Sequence, residues 1–256
     1  MPVHPLTPRF LEKVWGSQHL SPWFPDSVSQ IGEVWMEGPR GEPLPLLIKF
    51  LFTTDRLSVQ VHPNDGYASR HHQSNGKTEM WHILRAAPGA QIALGLKQTL
   101  TSEELRAASE SGAIEQRLNL IEVKPGETYF VPAGTIHAIG GGIALCEIQQ
   151  QSDVTYRLYD YGRPRELHLD RGIEVSALNA YVAPAAPVDC LAECAYFRTE
   201  RLVLEDGAVD PDPERPFWLI CIEGEEAGRG WQVDAGVAPV AIPSVGRGVF
   251  VKTFVP

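Results

Sequence analysis

The chain has 256 residues, and its 22 Lys and Arg against 32 Asp and Glu give a formal net charge of −10. A hydrophobic share of 43% with 21% charged residues is globular composition, which excludes a largely disordered protein and suits one large or two small domains. No apolar run reaches the ~18 residues of a membrane helix. The N-terminal MPVHPLTPRFLEK lacks the layout of a signal peptide, and the acidic balance opposes wrapping of nucleic acid while leaving room for a local basic pocket. These features predict a soluble cytoplasmic protein, monomeric or a small homo-oligomer, with neither membrane nor nucleic acid as partner.

In chain order, period-two alternation predicts a strand over Leu57–His62, and β-favouring residues predict another over Glu79–Leu84. Tyr67 to Asn75 reads as a polar loop. Further strands are expected at Gln91–Leu96, Leu118–Val123, Tyr129–Val131 and Ile143–Ile148. Helix is scarce. Thr101 or Ser102 caps a run that ends near Gly112, a short turn follows near Ile114–Leu118, and one more helix is expected to span Leu169–Leu178. Ala183-Pro-Ala-Ala-Pro-Val-Asp189 reads as a linker, dividing the chain into 1–182, 183–189 and 190–256. After it, Phe217–Ile222 and Gly248–Val251 are strand-like. The expected class is all-β, a sandwich or rolled barrel with a helical insertion near 101–118. Four cysteines make no disulfide scaffold, and Cys190 and Cys194 have no second pair at zinc-finger spacing; all four read as reduced packing residues.

The most informative segment is Gly126-Glu-Thr-Tyr-Phe-Val-Pro132-Ala-Gly134-Thr-Ile-His137, a short strand, a Pro-x-Gly turn and a histidine entering the next strand. Its G-x5-P-x-G-x2-H spacing resembles the second motif of cupins; the bland alternative is a hairpin with a packed histidine. The partner motif requires two ligands at i and i+2, since only that spacing aims both side chains to one face of a strand. Gln60 and His62 meet it, and Glu79 opens the next strand as an anionic donor. Singly these are ordinary polar residues; together Gln60, His62, Glu79 and His137 read as an N/O metal site inside a cupin (double-stranded β-helix or jelly-roll) barrel.

The resemblance then narrows. Leu57–Asp65, Gly76-Lys-Thr-Glu-Met-Trp81, Pro132–His137 and Glu147-Ile-Gln-Gln-Gln-Ser-Asp-Val-Thr-Tyr-Arg157 resemble signature blocks of type I mannose-6-phosphate isomerases, most closely the short bacterial form. Val14-Trp15-Gly16, Glu33-Val-Trp35 and Arg165-Glu-Leu-His168 resemble further blocks. Similarity runs from about Trp15 to Leu178 and is faint beyond the linker. It implies a zinc-dependent aldose–ketose isomerase acting on a phosphosugar, interconverting mannose 6-phosphate and fructose 6-phosphate. It also implies that Gln60, His62, Glu79 and His137 hold one Zn²⁺ per chain. By the same resemblance Arg157 is the active-site arginine, Lys77 the lysine two before the ligand glutamate, and Glu147 a carboxylate for proton transfer.

The chemistry is coherent without the family. Isomerisation removes a proton alpha to a carbonyl and stabilises an enediolate. Three neutral ligands and one Glu leave a zinc site with formal charge +1, which favours an anion. Gln in place of a third His weighs against an oxygenase. Arg157 suits either the phosphate or the enediolate, and its plain alternative is a surface salt bridge. Lys77 reads as a phosphate or hydroxyl donor, against a solvated loop lysine. Glu147 is the preferred base, against a structural ion-pair partner, and metal-bound water is an equal rival for that role. His71 and His72 read as solvated loop residues rather than as a rim of the site, and His82, where relatives often have Tyr, as a packing residue or one that supports the ligands from behind. Ile139 also departs from longer relatives, which often carry Tyr there. The tail, with Gly224 and Gly236–Pro243, resembles a smaller degenerate second cupin. It has no histidine after His168 and reads as structural. A non-catalytic sugar-binding metal cupin is the rival from another class.

Overall fold

The computed structural model describes residues 2–185, 187–242 and 246–256. Ala186 of the expected linker and Pro243 of the tail segment lie outside the described residues. The chain begins with β1 (Val3–Pro5), β2 (Thr7–Ser17), β3 (Ile31–Glu37), β4 (Leu46–Phe52) and β5 (Val59–Val61). Helix α1 (Asp65–His72) leads to β6 (Glu79–Ala86) and β7 (Gln91–Leu96), then α2 (Ser102–Ser111) and α3 (Ile114–Arg117). Next come β8 (Leu118–Glu122), β9 (Thr128–Val131), β10 (His137–Ile139), β11 (Ile143–Gln150), β12 (Tyr156–Tyr159) and α4 (Leu169–Val175). The tail carries β13 (Ala192–Glu193), β14 (Arg198–Leu204), β15 (Ala208–Val209), β16 (Phe217–Gly224), β17 (Gly230–Val233), β18 (Val240–Ala241) and β19 (Gly248–Phe254). The class is therefore β-sheet with a few short helices, as expected. Among the described residues no helix is long and apolar enough to cross a membrane.

The chain divides into two compact units: Met1–Phe52, Cys146–Gln149 and Ala186–Pro256 form one, and Thr53–Leu145 with Gln150–Ala185 form the other. The second unit ends at Ala185. The first strands, however, group with the tail rather than with the residues that follow them. The reason is pairing: β1 lies antiparallel to β17 with Val3 opposite Val233, Leu6 N–H donates to the Gly230 carbonyl at 2.8 Å, and Trp23 Nε1 donates to the Ile222 carbonyl at 2.8 Å. β1 thus edges a six-stranded sheet of order β1-β17-β16-β19-β14-β13, closed over Phe217, Leu219, Trp231 and Phe250. In the same unit β2, β3 and β4 form an antiparallel run with Trp35 opposite Lys49. All four cysteines are free thiols, and burial pushes the Cys221 thiol up to about 12.

The second unit holds a five-stranded sheet of order β12-β5-β10-β7-β8, the β6–β9 pair and helices α1 to α4. Its core joins Val59 and Val61 of β5 to Leu105, Ile114, Tyr156, Leu158 and Ile173, so the helices bury apolar faces against the strands that present the site. α2 begins at a full capping box between Thr101 and Glu104 and stops at Gly112 in the left-handed region, where a side chain would be strained. One expectation is corrected. Residues 67–72 do not form a loop but belong to α1, whose N-cap Asn64 accepts the Tyr67 N–H at 3.0 Å, and only residues 73–75 of the expected loop lie outside the helix. Only Tyr67 and Ala68 of this helix are buried, so it shows no apolar stripe from which periodicity could be read.

Candidate metal centre

The site is assembled by strand register. Gln60 on β5 is the Cα partner of both His137 on β10 and Arg157 on β12. Residues directly opposite on neighbouring strands share a face, and His62, two residues on from Gln60, shares it as well. The turn before His137 is held by Gly134. Its φ is +87°, and an added Cβ would lie 3.1 Å from the Val175 carbonyl oxygen; its N–H donates to the His62 carbonyl at 2.8 Å. A second close approach brings in the next pair of residues. A Cβ on Gly76 would stand 2.5 Å from the Asn64 and Asp65 backbone, whereas the bare glycine lets its N–H reach Asp65 Oδ1 at 2.7 Å. Lys77 and Glu79 follow, both buried.

His62, Glu79 and His137 each turn one ligating atom inward, and these atoms all lie within 4.8 Å of one another. Glu79 Oε2 is 3.6 Å from His62 Nε2, and Glu79 Oε1 is 3.4 Å from His137 Nε2. The outer ring nitrogens face carbonyls: His62 Nδ1 lies 3.0 Å from the Val154 oxygen and His137 Nδ1 lies 2.8 Å from the Thr135 oxygen. A carbonyl can only accept, so each Nδ1 carries the proton and each Nε2 is left as an acceptor. Two imidazole lone pairs and a carboxylate therefore converge in a buried space, a donor set that calls for a cation. Here the Lys77 ammonium supplies it, contacting Glu79 Oε2 and lying 2.9 Å from His62 Nε2. Carbonyls that fix the tautomer of metal-binding histidines are the usual supporting arrangement. The residues fit a divalent ion.

Gln60 lies beside this cluster, its Nε2 3.3 Å from His137 Nε2 and its Oε1 3.4 Å from Ser58 Oγ. The amide nitrogen faces the cluster as placed, and ligation requires the oxygen there. Arg157 Nη1 donates to the Glu166 carbonyl at 2.6 Å, while its Nε is buried without a hydrogen-bond partner. Burial first, then the charge of Arg165, lowers the Arg157 pKa, but a guanidinium stays cationic. Glu147 is almost fully buried and pairs with Lys49 Nζ at 3.2 Å within the first unit; Lys49 went unmarked in the sequence because it sits within an unbroken apolar strand. His82 is buried, with Nδ1 2.9 Å from Thr128 Oγ1. His71 and His72 do not lie in a loop, although His71 is exposed and His72 half-buried. They end α1, where His71 packs on the Tyr67 ring at 4.2 Å and His72 Nε2 hydrogen-bonds Tyr156 Oη.

A mannose-6-phosphate isomerase from Streptococcus mutans is 46% identical over 212 residues, covering 77% of this chain and 65% of its own length. A putative mannose-6-phosphate isomerase from Bacillus subtilis, YvyI, is 34% identical over 214 residues, covering 68% of this chain and 67% of its own. The chain belongs to the mannose-6-phosphate isomerase family. It spans about two thirds of the length of these curated relatives. The crystal structure of the mannose 6-phosphate isomerase from Bacillus subtilis superposes with a TM-score of 0.85 at 26% identity, covering 98% of this chain and 99% of that one. No family model matches the chain. Within the mannose-6-phosphate isomerase family, the three convergent side chains His62, Glu79 and His137 are the part of the implied ligand set that the geometry brings together.

Proposed function

We propose that the protein is a zinc-dependent isomerase that interconverts mannose 6-phosphate and fructose 6-phosphate through an enediolate. The observation that carries this reading is the buried convergence of His62 Nε2, His137 Nε2 and the Glu79 carboxylate in a chain of this family. Zinc would be held by these three groups and by Gln60, and when bound it supplies a redox-inert Lewis acid that polarises the sugar carbonyl. The remaining work belongs to the chain. Arg157, with its buried and unpaired Nε, binds an oxyanion of the substrate. Lys77 donates to a substrate hydroxyl or phosphate oxygen. Glu147 moves the proton between the two sugar carbons, with the Lys49 ammonium 3.2 Å from its carboxylate. The strands exclude water from the ligand cluster, whose three members are each 1% exposed or less, which strengthens every electrostatic contact there.

The test is metal analysis of purified protein followed by a coupled assay on fructose 6-phosphate. The expected result is one zinc per chain and activity that vanishes on chelation and returns with Zn²⁺. Sugar binding without turnover in the zinc-loaded protein would replace this reading with a binding protein, and oxygen uptake would replace it with an oxygenase.

A further inference from the structure

Strand β12 is the edge of its sheet, so one row of its backbone groups has no neighbouring strand. Arg157 belongs to that row. It stands opposite Gln60, yet its N–H donates to the ring Nδ1 of His168 at 3.1 Å, and its carbonyl accepts the His168 N–H at 2.8 Å. Both backbone groups of Arg157 thus point outward, and Arg157 and Gln60 form the kind of antiparallel pair whose side chains approach most closely. One residue, His168, replaces the missing strand with one backbone donor and one ring acceptor. Two residues earlier, the Glu166 carbonyl accepts from Arg157 Nη1 at 2.6 Å. The guanidinium is therefore held at one end while its Nε remains buried and unpaired.

His168 is also the N-cap of α4, a position whose side chain ordinarily accepts from the first turn. Here it makes no capping hydrogen bond, its acceptor being given to Arg157. We propose that His168 is a positioning residue for Arg157: it completes the open edge of β12 and so fixes the backbone from which the Arg157 side chain projects, opposite Gln60 in the register, for binding an oxyanion of the phosphosugar. The clamp stands on geometry alone; what Arg157 binds rests on the isomerase reading.

The clamp requires a neutral ring protonated on Nε2, because an imidazolium has no lone pair to accept the Arg157 N–H. Burial, followed by the charge of Arg157, lowers the His168 pKa from 6.5, which favours that form. The other charged or titratable groups around it are Glu166 and Arg171, Tyr156 with its ring 6.2 Å away, and His72, Asp153 and Asp170 along the same cleft.

Two variants separate acceptor position from ring size. Asn places Oδ1 where the histidine has Nδ1, whereas Gln places its acceptor one bond further out. In native-state amide exchange, wild type and His168→Asn are expected to protect the Arg157 N–H, and His168→Gln to exchange it about 5-fold faster or more, the worth of one net hydrogen bond. The value of kcat/KM for fructose 6-phosphate is expected to fall in His168→Gln and to recover in His168→Asn. Equal protection in all three proteins, or an Asn variant no better than Gln, would overturn the proposal. Long-range 1H–15N spectra of the wild-type ring give a reading without any variant: an Nε2–H tautomer at neutral pH supports the clamp, and an Nδ1–H tautomer overturns it. A wild-type protein that holds zinc and fails to isomerise would refute the isomerase reading, while the exchange and tautomer results still decide the clamp.

Discussion

Lys77 and His62 meet through Nζ and Nε2 at 2.9 Å, so an ammonium sits among the groups that fit a divalent ion. Lys77 has no lone pair to give while protonated, which makes it a cationic neighbour of the metal rather than a ligand. Lys77→Gln should therefore bind zinc at least as tightly as wild type, since one competing positive charge is gone. The same variant should lose about 10²-fold or more in kcat/KM if Lys77 donates in the transition state. Competition against a chromophoric chelator measures the first effect, and weaker zinc binding would contradict it.

Removing a ligand should behave in the opposite way. His137 is fully buried with its Nδ1 tied to the Thr135 carbonyl, so His137→Ala should hold no zinc at micromolar metal. Zinc bound at 100 times its dissociation constant stabilises the folded state by about 2.7 kcal/mol. A chelator should accordingly lower the melting temperature of wild type and leave that of His137→Ala where it was.

The ion pair between Lys49 and Glu147 is buried on both sides, at 8% and 3% side-chain exposure. Breaking it from the lysine side strands a carboxylate, so Lys49→Met should cost about 3–5 kcal/mol, and adding Glu147→Leu should restore much of that. Glu147→Gln, by contrast, should fold and keep its metal while losing at least about 10²-fold in rate if Glu147 is the base. Denaturant unfolding of the three variants and metal-loaded kinetics of the last distinguish a purely structural pair from a catalytic one.

Acid should weaken the protein partly through His168. Its folded pKa is lowered from 6.5 by burial and by Arg157, so below about pH 6.5 the unfolded chain takes up a proton that the folded chain refuses. This contribution is present above pH 6.5 and is lost as pH falls through the folded pKa. Metal release from His62 and His137 acts in the same direction, so the comparison must be with His168→Asn in chelator. The wild-type stability should fall more steeply than that of the variant between pH 6.5 and 5.

Much of the site was legible because ligand geometry imposes local spacing. The i, i+2 pair Gln60 and His62, and the turn that delivers His137, are short-range patterns, and the structure gathers His62, His137 and Glu79 as that spacing implies. Strand β7 has the expected bounds, and α2 carries its start and stop signals in Thr101 and Gly112. Other features were hidden because they depend on partners distant in sequence. The grouping of residues 1–52 with the tail follows from β1 meeting β17, which no local period encodes. Lys49 sits in a strand whose other residues are all apolar, and its pairing with Glu147 appears only when β4 and β11 are placed together. Helix α1 was obscured by polar residues on every exposed turn, and its Asn64 cap lies against a Pro-Asn-Asp run that equally suits a loop.

The enediolate is the claim on which the rest depends, and isotope transfer reads it directly. Fructose 6-phosphate incubated with the zinc-loaded protein in deuterium oxide should yield mannose 6-phosphate carrying deuterium at C2, because a base that exchanges with solvent returns a deuteron. Mannose 6-phosphate formed with no deuterium at C2 would contradict the solvent-exchanging proton route through Glu147, and zinc-loaded protein that forms no mannose 6-phosphate at all would contradict the proposed function.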